Sequence, residues 1–241
     1  MEKDQNNNSD TINKGAEEIK ADDVSTPILK ILHQLSPECN ERDSKHVEGS
    51  KPGMIYASGF GKLINGEEGL DIIIAHAQTR YPEWQERGDS ASAPVGTHLE
   101  IPADAVEEKN GRYRLPNGNY LENTASHFVL TVGDNPSTAL ISMKSTQLKV
   151  SRKWNSMMMG IKMQGKNGLF TPPTYSHIYN LSTVQMSNDK GTWFGWDVSK
   201  AEPVKDKSIY DMAKAFAESV GKGEVQAKHG TEETTKSNSN Y

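Results

Sequence analysis

The spacing of apolar residues predicts that strands make up most of the ordered chain. Alternating or β-branched runs bounded by turn residues are typical of strands. Such runs occupy residues 54–57, 69–79, 126–132, 138–143, 175–186 and 192–198. Residues 85–125 contain many turn residues and are predicted to be irregular, except for one arm of a small hairpin at residues 112–115.

Three other segments have the spacing of amphipathic helices. A short helix is predicted at residues 27–35, where Pro27 suits the first turn, and a longer one at residues 206–221, where Gly221 marks the end. One stripe of a third helix contains Met143, Val150, Trp154, Met157 and Ile161. Trp154 lies at the border of this stripe, so it can either pack inward or form an exposed platform.

Polar segments mark the limits of the folded part. The chain has 241 residues, 34% of them apolar, and a mean hydropathy of −0.72. Residues 1–23 and 222–241 contain too few apolar side chains to offset the entropy of ordering, so both are predicted to be disordered. Residues 24–221 then form one domain, in which the glycines of residues 160–168 predict a mobile loop.

The sequence has the features of a cytoplasmic protein. No apolar run is long enough to cross a bilayer, and the first residues lack the apolar core of a secretory signal. Cys39 is the single cysteine, so no internal disulfide can form. Because only His33 and His46 lie near it in the sequence, a zinc site would lack ligands, and we predict no metal site.

Charge is distributed unevenly along the chain. Of 27 basic and 32 acidic side chains, six basic ones lie between Asp134 and Asp189, a segment that contains no Asp or Glu. They are Lys144, Lys149, Arg152, Lys153, Lys162 and Lys166. Solvated faces usually mix the two signs, so a segment of one sign favours the binding of an anion. The length of this segment favours a polyanion.

The sequence contains none of the spaced motifs that identify an enzyme or a cofactor site. Residues 59–62, Gly-Phe-Gly-Lys, are too short for a phosphate-binding loop, and neither His-Glu-x-x-His nor Gly-x-Ser-x-Gly occurs. Carboxylates are concentrated in turns and tails rather than at strand ends. We therefore expect a protein that is not an enzyme and that has no cofactor.

Aromatic residues accompany the cations, and this combination suits a single-stranded nucleic acid. Cations follow the backbone of a single strand, while bases stack on aromatic rings and gain about 1–3 kcal/mol each. The candidate stacking residues are Tyr81, Trp84, Trp154 and Trp193. Tyr81 and Trp84 can instead be lid residues over the core. In the last strand, alternation places Phe194 and Trp196 on one face, expected to be buried, and Trp193 on the other.

Five groups of residues between positions 27 and 198 carry a resemblance to a known family. They are Pro27-Ile-Leu-Lys-Ile-Leu with Leu35-Ser-Pro37, Lys51-Pro-Gly53, Ile72-Ile-Ile74 with Arg80-Tyr-Pro-Glu-Trp84, Lys144-Ser-Thr-Gln-Leu-Lys with Arg152-Lys-Trp154, and Lys190-Gly-Thr-Trp193. In this order they resemble the single-stranded DNA-binding proteins of tailed bacteriophages, which are built on an oligonucleotide-binding (OB) β-barrel.

The resemblance implies a mainly β fold with accessory helices (α+β). It implies an OB-like five-stranded barrel with a helix between strands 3 and 4, flanking N- and C-terminal helices and disordered ends. The implied function is largely sequence-independent binding of single-stranded DNA in phage DNA replication, recombination or repair, in the cytoplasm of the infected host cell. Replication or recombination proteins are further expected partners. The chain departs from the family at residues 229–241, which contain only Glu232 and Glu233 instead of an acidic tail.

An alternative from another class also fits the pattern. In this alternative, the protein is an interaction or virion-associated adaptor whose basic segment docks on an acidic protein partner. The aromatic residues would then belong to the core, and the terminal segments would be the parts that act.

Overall fold

A computed structural model describes residues 26–86, 93–189 and 191–227, which form a mainly β fold with two α-helices. The strands are β1 (Leu29–Ile31), β2 (Ile55–Ala57), β3 (Lys62–Ile64), β4 (Leu70–Trp84), β5 (Gly96–His98), β6 (Val106–Glu107), β7 (Arg112–Arg114), β8 (Tyr120–Glu122), β9 (Thr124–Thr131), β10 (Thr138–Lys144), β11 (Met163–Gly165), β12 (Gly168–Phe170), β13 (His177–Asn188) and β14 (Gly191–Pro203). The helices are α1 (Leu148–Gly160) and α2 (Lys207–Gly221), and short 3-10 turns lie at Pro37–Cys39, Ser145–Gln147 and Thr174–Ser176.

Five long strands form a curled half-barrel sheet in the order β10-β9-β4-β13-β14. Each neighbouring pair is antiparallel. β4 has 15 residues; its first part pairs with β13 and β9, and its last part pairs with β5 and β8. β8 continues into β7 and β6, which extend this end of the sheet as a small antiparallel ribbon.

The half-barrel has an apolar inner face and an apolar outer face because residues alternate along its strands. Ile72 and Ile74 of β4 belong to the inner core, while Ile73 packs on the outer face. α1 joins the inner core through Trp154, and α2 covers the outer face through Phe216. The two helices therefore lie on opposite sides of the sheet.

A three-stranded sheet, β1-β2-β3, completes the inner core. β1 contacts both edge strands of the half-barrel, β10 and β14, and Ile28 forms a parallel bridge with Leu140 of β10. Leu29 and Ile31 are buried in the inner core. The helix predicted at residues 27–35 is therefore wrong. A short apolar run is compatible with either a helix or a strand. Here Leu29 and Ile31, two residues apart, both face the core, as they do in a strand.

Most of the longer predicted elements are confirmed. The predicted strands correspond to β2, β4, β9, β10, β13 and β14, the predicted hairpin arm to β7, and the predicted C-terminal helix to α2. Asp206 caps α2 by accepting hydrogen bonds from the backbone N–H groups of Ser208 and Ile209. Residues 85–125 are more regular than predicted because they contain β5 to β8 as well as the start of β9.

Two predicted flexible regions are ordered in part. Residues 160–168 do not form a simple loop, because β11 and β12 pair as a hairpin around Lys166 and Asn167. After α2 the chain continues to residue 227, and Val225 and Ala227 pack on the outer core. The predicted arm at residues 1–23 and the predicted tail from residue 228 lie outside the described residues.

Candidate functional site

The basic segment folds into a helix followed by a hairpin. Its cations lie at the end of β10 (Lys144), on the exposed side of α1 (Lys149, Arg152 and Lys153), just after α1 (Lys162) and in the turn between β11 and β12 (Lys166). The hairpin of β11 and β12, residues 163–170, is called the basic hairpin below. The cations identified from the sequence therefore lie on elements that follow one another along the chain. The sequence did not predict the hairpin among these elements.

Val150, Trp154 and Met157 of the predicted stripe lie on α1 and pack against the inner core. Met143 belongs to β10 and Ile161 follows the helix, so the prediction that they share this helix is wrong. Trp154 is fully buried, and its ring stacks on His127 of β9 with centroids 4.8 Å apart. It also meets Tyr179 of β13 edge to face at 5.8 Å. Of the two interpretations of Trp154, inward packing is confirmed, and base stacking by this residue is wrong.

The contact between α1 and β9 also buries polar groups. The Nε2 atom of His127 lies 3.0 Å from the Oγ atom of Ser151, which is itself buried on α1. Burial lowers the pKa of His127 from 6.5 to about 4, because the charged imidazolium would lose its hydration in this interior. His127 is therefore neutral near pH 7. Trp154 and Ser151 of α1 contact this uncharged imidazole ring.

Two of the six cations are paired with carboxylates that lie far away in the sequence. Lys144 Nζ lies 2.9 Å from Glu122 Oε2, and Lys153 Nζ lies 2.7 Å from Asp197 Oδ1. Folding therefore brings acidic side chains to part of a segment that contains none of its own. These two lysines contribute less to a positive surface than the sequence predicted.

Four cations have no carboxylate partner among the described residues, and together they are called the basic face. They are Lys149, Arg152, Lys162 and Lys166. Lys162 donates hydrogen bonds to two neutral acceptors, the carbonyl oxygen of Met159 at 3.1 Å and Thr171 Oγ1 at 2.5 Å. These contacts hold the ammonium group in place without neutralising it. The basic face therefore keeps its positive charge.

The basic hairpin exposes large apolar side chains beside these cations. Leu169 is 71% exposed, Phe170 is 46% exposed, and Met159 at the end of α1 is 65% exposed. Met163 lies opposite Phe170 in the hairpin. The Phe170 ring lies over Gly165, where an added Cβ would meet it at 3.1 Å. The hairpin thus holds the partly exposed ring of Phe170, which is near Lys162 and Lys166 in the sequence.

The aromatic residues at the end of β4 are less exposed than the sequence suggested. Trp84 is 8% exposed, and the Nζ atom of Lys144 lies 5.2 Å from the centre of its ring. Tyr81 is half-buried, and its ring meets that of Tyr113 edge to face at 6.3 Å. Trp84 is therefore a packed residue, and the interpretation of it as an exposed stacking surface is wrong.

The aromatic residues of β14 follow the predicted alternation. Trp196 is buried in the inner core, and Phe194 is half-buried against it, while Trp193 lies on the other face. Trp193 is half-buried and pairs with Met186 of β13. The predicted alternation and the burial of Trp196 are confirmed, but Phe194 is half-buried like Trp193 rather than buried. Trp193 stays a candidate for stacking.

Comparison with known proteins gives one family match. The model of the Pam3 phage gp34-like protein family matches residues 2–226. The chain belongs to this family. The family description refers to a phage and states no activity. Neither the curated proteins nor the solved structures contain a match to the chain.

Two further properties of the described residues concern metal ligands and membrane-spanning helices. Within residues 26–86, 93–189 and 191–227, no group of three or more His, Cys, Asp or Glu side chains is placed to hold a metal ion. No helix in the same part of the chain is long and apolar enough to cross a membrane.

Sequence reasoning missed residues on two hairpins. Phe170 was overlooked because the glycines around it predicted a loop, although Gly168-Leu-Phe170 beside Lys166 was a usable signal. Arg112 and Tyr120 were also overlooked. The signal in the sequence was an Asn-Gly turn with arginines before it and Tyr120 after it. Such a turn places Arg112 and Tyr120 on the two paired strands of a hairpin.

Proposed function

We propose that this protein is a non-enzymatic, largely sequence-independent single-stranded DNA-binding protein that acts in phage DNA replication, recombination or repair. The observation that carries the proposal is the basic face, which has four cations without carboxylate partners among the described residues, next to the exposed ring of Phe170. Such binding needs no catalytic group and no cofactor. The phage family of the chain is consistent with this role.

The physical basis is that a single strand offers both a charged backbone and unstacked bases. Cations along a groove neutralise phosphates and release counterions, while an aromatic ring contributes about 1–3 kcal/mol for each base that stacks on it. Lys149 and Arg152 on α1 would contact the backbone. Lys162 and Lys166 would do so beside Phe170, which would stack on a base.

The fold supports the same proposal through its strand order. α1 lies between the third and fourth of the five long strands along the chain, β10 and β13, and packs against the inner core of the half-barrel. We propose that this arrangement is OB-like, with β1 placed between the two edge strands that an OB barrel joins. OB folds bind oligonucleotides in many unrelated proteins.

The test removes charge from the basic face without disturbing packing. Lys149→Ala with Arg152→Ala deletes two exposed cations from α1, where alanine is a good helix former. Labelled oligo-dT is titrated at several salt concentrations, and anisotropy gives the affinity. We expect about tenfold weaker binding at low salt. The slope of log K against log salt should fall by about 1.4, since each lost contact with a single strand removes about 0.7.

A matched control carries the same loss of charge elsewhere. Arg42→Ala with Lys51→Ala also deletes one arginine and one lysine that are exposed, but these residues precede β2 and lie outside the basic segment. This variant should bind as the native protein does. Equal weakening by both variants, or no binding of oligo-dT to the native protein at low salt, would refute the proposal. Tighter binding of duplex than of single strand would also refute it.

The adaptor alternative is favoured by one observation, the apolar character of the basic hairpin. Leu169 and Phe170 of this hairpin and Met159 at the end of α1 are all exposed, and exposed apolar patches often mark protein interfaces. An acidic partner with an apolar groove would fit this hairpin. In that case oligo-dT would bind no more tightly to the native protein than to the variant without Lys149 and Arg152.

A further inference from the structure

A second group of cations and aromatic rings lies at the last part of β4 and on the ribbon of β7 and β8. Arg112 Cζ lies 4.2 Å from the centre of the Tyr120 ring, and Arg114 Cζ lies 5.8 Å from it. Trp84 is opposite Tyr120 in the sheet and carries Lys144 over its ring at 5.2 Å. Arg112, Tyr120, Trp84 and Lys144 are called the ribbon strip below.

The members of the ribbon strip share one face of the sheet. Residues opposite each other in antiparallel strands point to the same side. Tyr120 is opposite both Arg114 and Trp84, and Arg112 is opposite Glu122, two residues from Tyr120. The two rings, Tyr120 and Trp84, are therefore neighbours, with Arg112 beside the first and Lys144 beside the second. α1 and its basic face begin a few residues after Lys144.

The cations of this region differ in how they are engaged. Arg114 is held by carboxylates: its Nε atom donates to Glu108 Oε1 at 2.8 Å, and its two terminal nitrogens donate to the oxygens of Glu86, each at 3.0 Å. Lys144 is paired with Glu122. Arg112 forms no ion pair with a carboxylate among the described residues, although Glu122 lies opposite it and its charge acts on Glu108. Its guanidinium group lies over the Tyr120 ring.

The ribbon is anchored so that this stack is fixed before any ligand arrives. Glu83 of β4 accepts hydrogen bonds from Asn119 Nδ2 at 2.6 Å and from Asn117 Nδ2 at 3.0 Å, both in the turn between β7 and β8. His98 Nε2 lies 2.7 Å from the other carboxylate oxygen. These hydrogen bonds, that from Asn119 first, lower the pKa of Glu83 to about 2. The carboxylate therefore stays charged and keeps its partners at neutral pH.

We propose that the stacked pair of Arg112 and Tyr120 is a base-stacking site for single-stranded DNA, an inference that rests on the proposed function. A guanidinium group is planar and has two faces. Tyr120 lies against the guanidinium group of Arg112, and Arg112 is half-buried, so part of it is accessible. A base would stack on the accessible part, as bases do on arginine planes in single-strand recognition. The strand would then run from the ribbon strip past Lys144 to the basic face.

The test separates stacking from charge. Arg112→Lys keeps the positive charge but removes the plane, and Arg42→Lys is the matched control at an exposed arginine outside both surfaces. Each variant is titrated with oligo-dT and with an abasic strand of equal length, which has the phosphates but no bases. We expect Arg112→Lys to bind oligo-dT about tenfold more weakly with an unchanged salt slope, and to bind the abasic strand as the native protein does.

A second variant makes the test independent of one substitution. Tyr120→Leu removes the ring that supports Arg112, and it should weaken oligo-dT binding to a similar extent. Combined with Arg112→Lys, it should cause little further loss, because both changes remove the same stack. Melting temperatures measured in parallel show that the variants are folded.

The outcomes distinguish this inference from the proposed function. If the native protein binds neither strand, the proposed function fails. If the native protein binds oligo-dT and Arg112→Lys binds it equally well, only the stacking site is refuted. Equal losses of affinity for oligo-dT and for the abasic strand would also refute the stacking site, because Arg112 would then contact the sugar-phosphate backbone and not a base.

Discussion

The buried pair of His127 and Trp154 determines how α1 is attached to the sheet. The Trp154 ring lies between His127 and Tyr179, so α1 cannot move away from β9 without exposing it. Large buried aromatic residues contribute about 3–5 kcal/mol when they are compared with alanine. In the proposed function, Trp154 would therefore act on DNA binding only through the position of the cations that α1 carries.

His127 should make the stability of the protein depend on pH. Its pKa is about 4 in the folded protein and 6.5 when unfolded, so the unfolded chain binds a proton more readily between these values. Stability is then fully present above pH 6.5 and falls as the pH is lowered towards 4. The two pKa values correspond to a difference of about 3 kcal/mol. Denaturant unfolding measured between pH 4.5 and 6.5 checks this.

The chosen pH range excludes Glu83, and His127→Gln separates His127 from His76 and His177, whose pKa values burial also lowers from 6.5. Glu83 has a folded pKa of about 2 against 4.5 when unfolded, so its contribution is lost only below pH 4.5. His127→Gln cannot titrate and should unfold with a smaller pH dependence between pH 4.5 and 6.5. A variant whose stability falls with pH as steeply as that of the native protein would show that His127 is not the source.

Elements of the half-barrel could be predicted from sequence to very different extents. β4, β9, β10, β13 and β14 are long, have one or two buried faces and are bounded by clear turns, so their patterns are unambiguous. Residues 29–31 could not be assigned locally, because what makes them a strand is their lateral contact with Leu140 and with β2. The basic hairpin was missed because exposed strands carry no apolar alternation, and only backbone pairing defines them.

The basic hairpin gives a prediction at the scale of a single element. Phe170→Leu keeps an apolar side chain but removes the ring, so oligo-dT binding should weaken by about five- to tenfold with an unchanged salt slope. Phe60→Leu is the matched control, since Phe60 is 58% exposed in the turn between β2 and β3. It should bind normally. If Phe170→Leu binds as tightly as this control, no base stacks on the hairpin.

For the molecule as a whole, the sequence shows where the cations lie along the chain but not which of them are paired with carboxylates. The basic segment was recognisable because it contains no Asp or Glu. Pairing of Lys144 with Glu122 and of Lys153 with Asp197 depends on which strands meet, and no local pattern encodes that. The same holds for Arg112 and Tyr120, which become neighbours through β7 and β8. Candidate cations could be found from sequence, and their partners could not.

Removal of both terminal segments tests which part of the chain binds oligo-dT. All residues assigned to the basic face and the ribbon strip lie between positions 26 and 227. A protein consisting of residues 26–227 keeps Val225 and Ala227 on the outer core, so it should melt within a few degrees of the full chain and bind oligo-dT with similar affinity. The adaptor alternative assigns function to the terminal segments. Loss of oligo-dT binding in a truncated protein that melts normally would place the contact outside these residues.

The parallel bridge between Ile28 and Leu140 links an early part of the chain to a much later one. On the ribosome, β1 can pair with β2 soon after both emerge, but β10 follows only after on the order of ten seconds of synthesis, and β14 later still. Until then the apolar side of the three-stranded sheet has nothing to cover it. β1, the first of the described strands, is therefore enclosed only after β14 has been made, and a nascent chain stalled before β14 would expose Leu29 and Ile31 to aggregation and proteolysis.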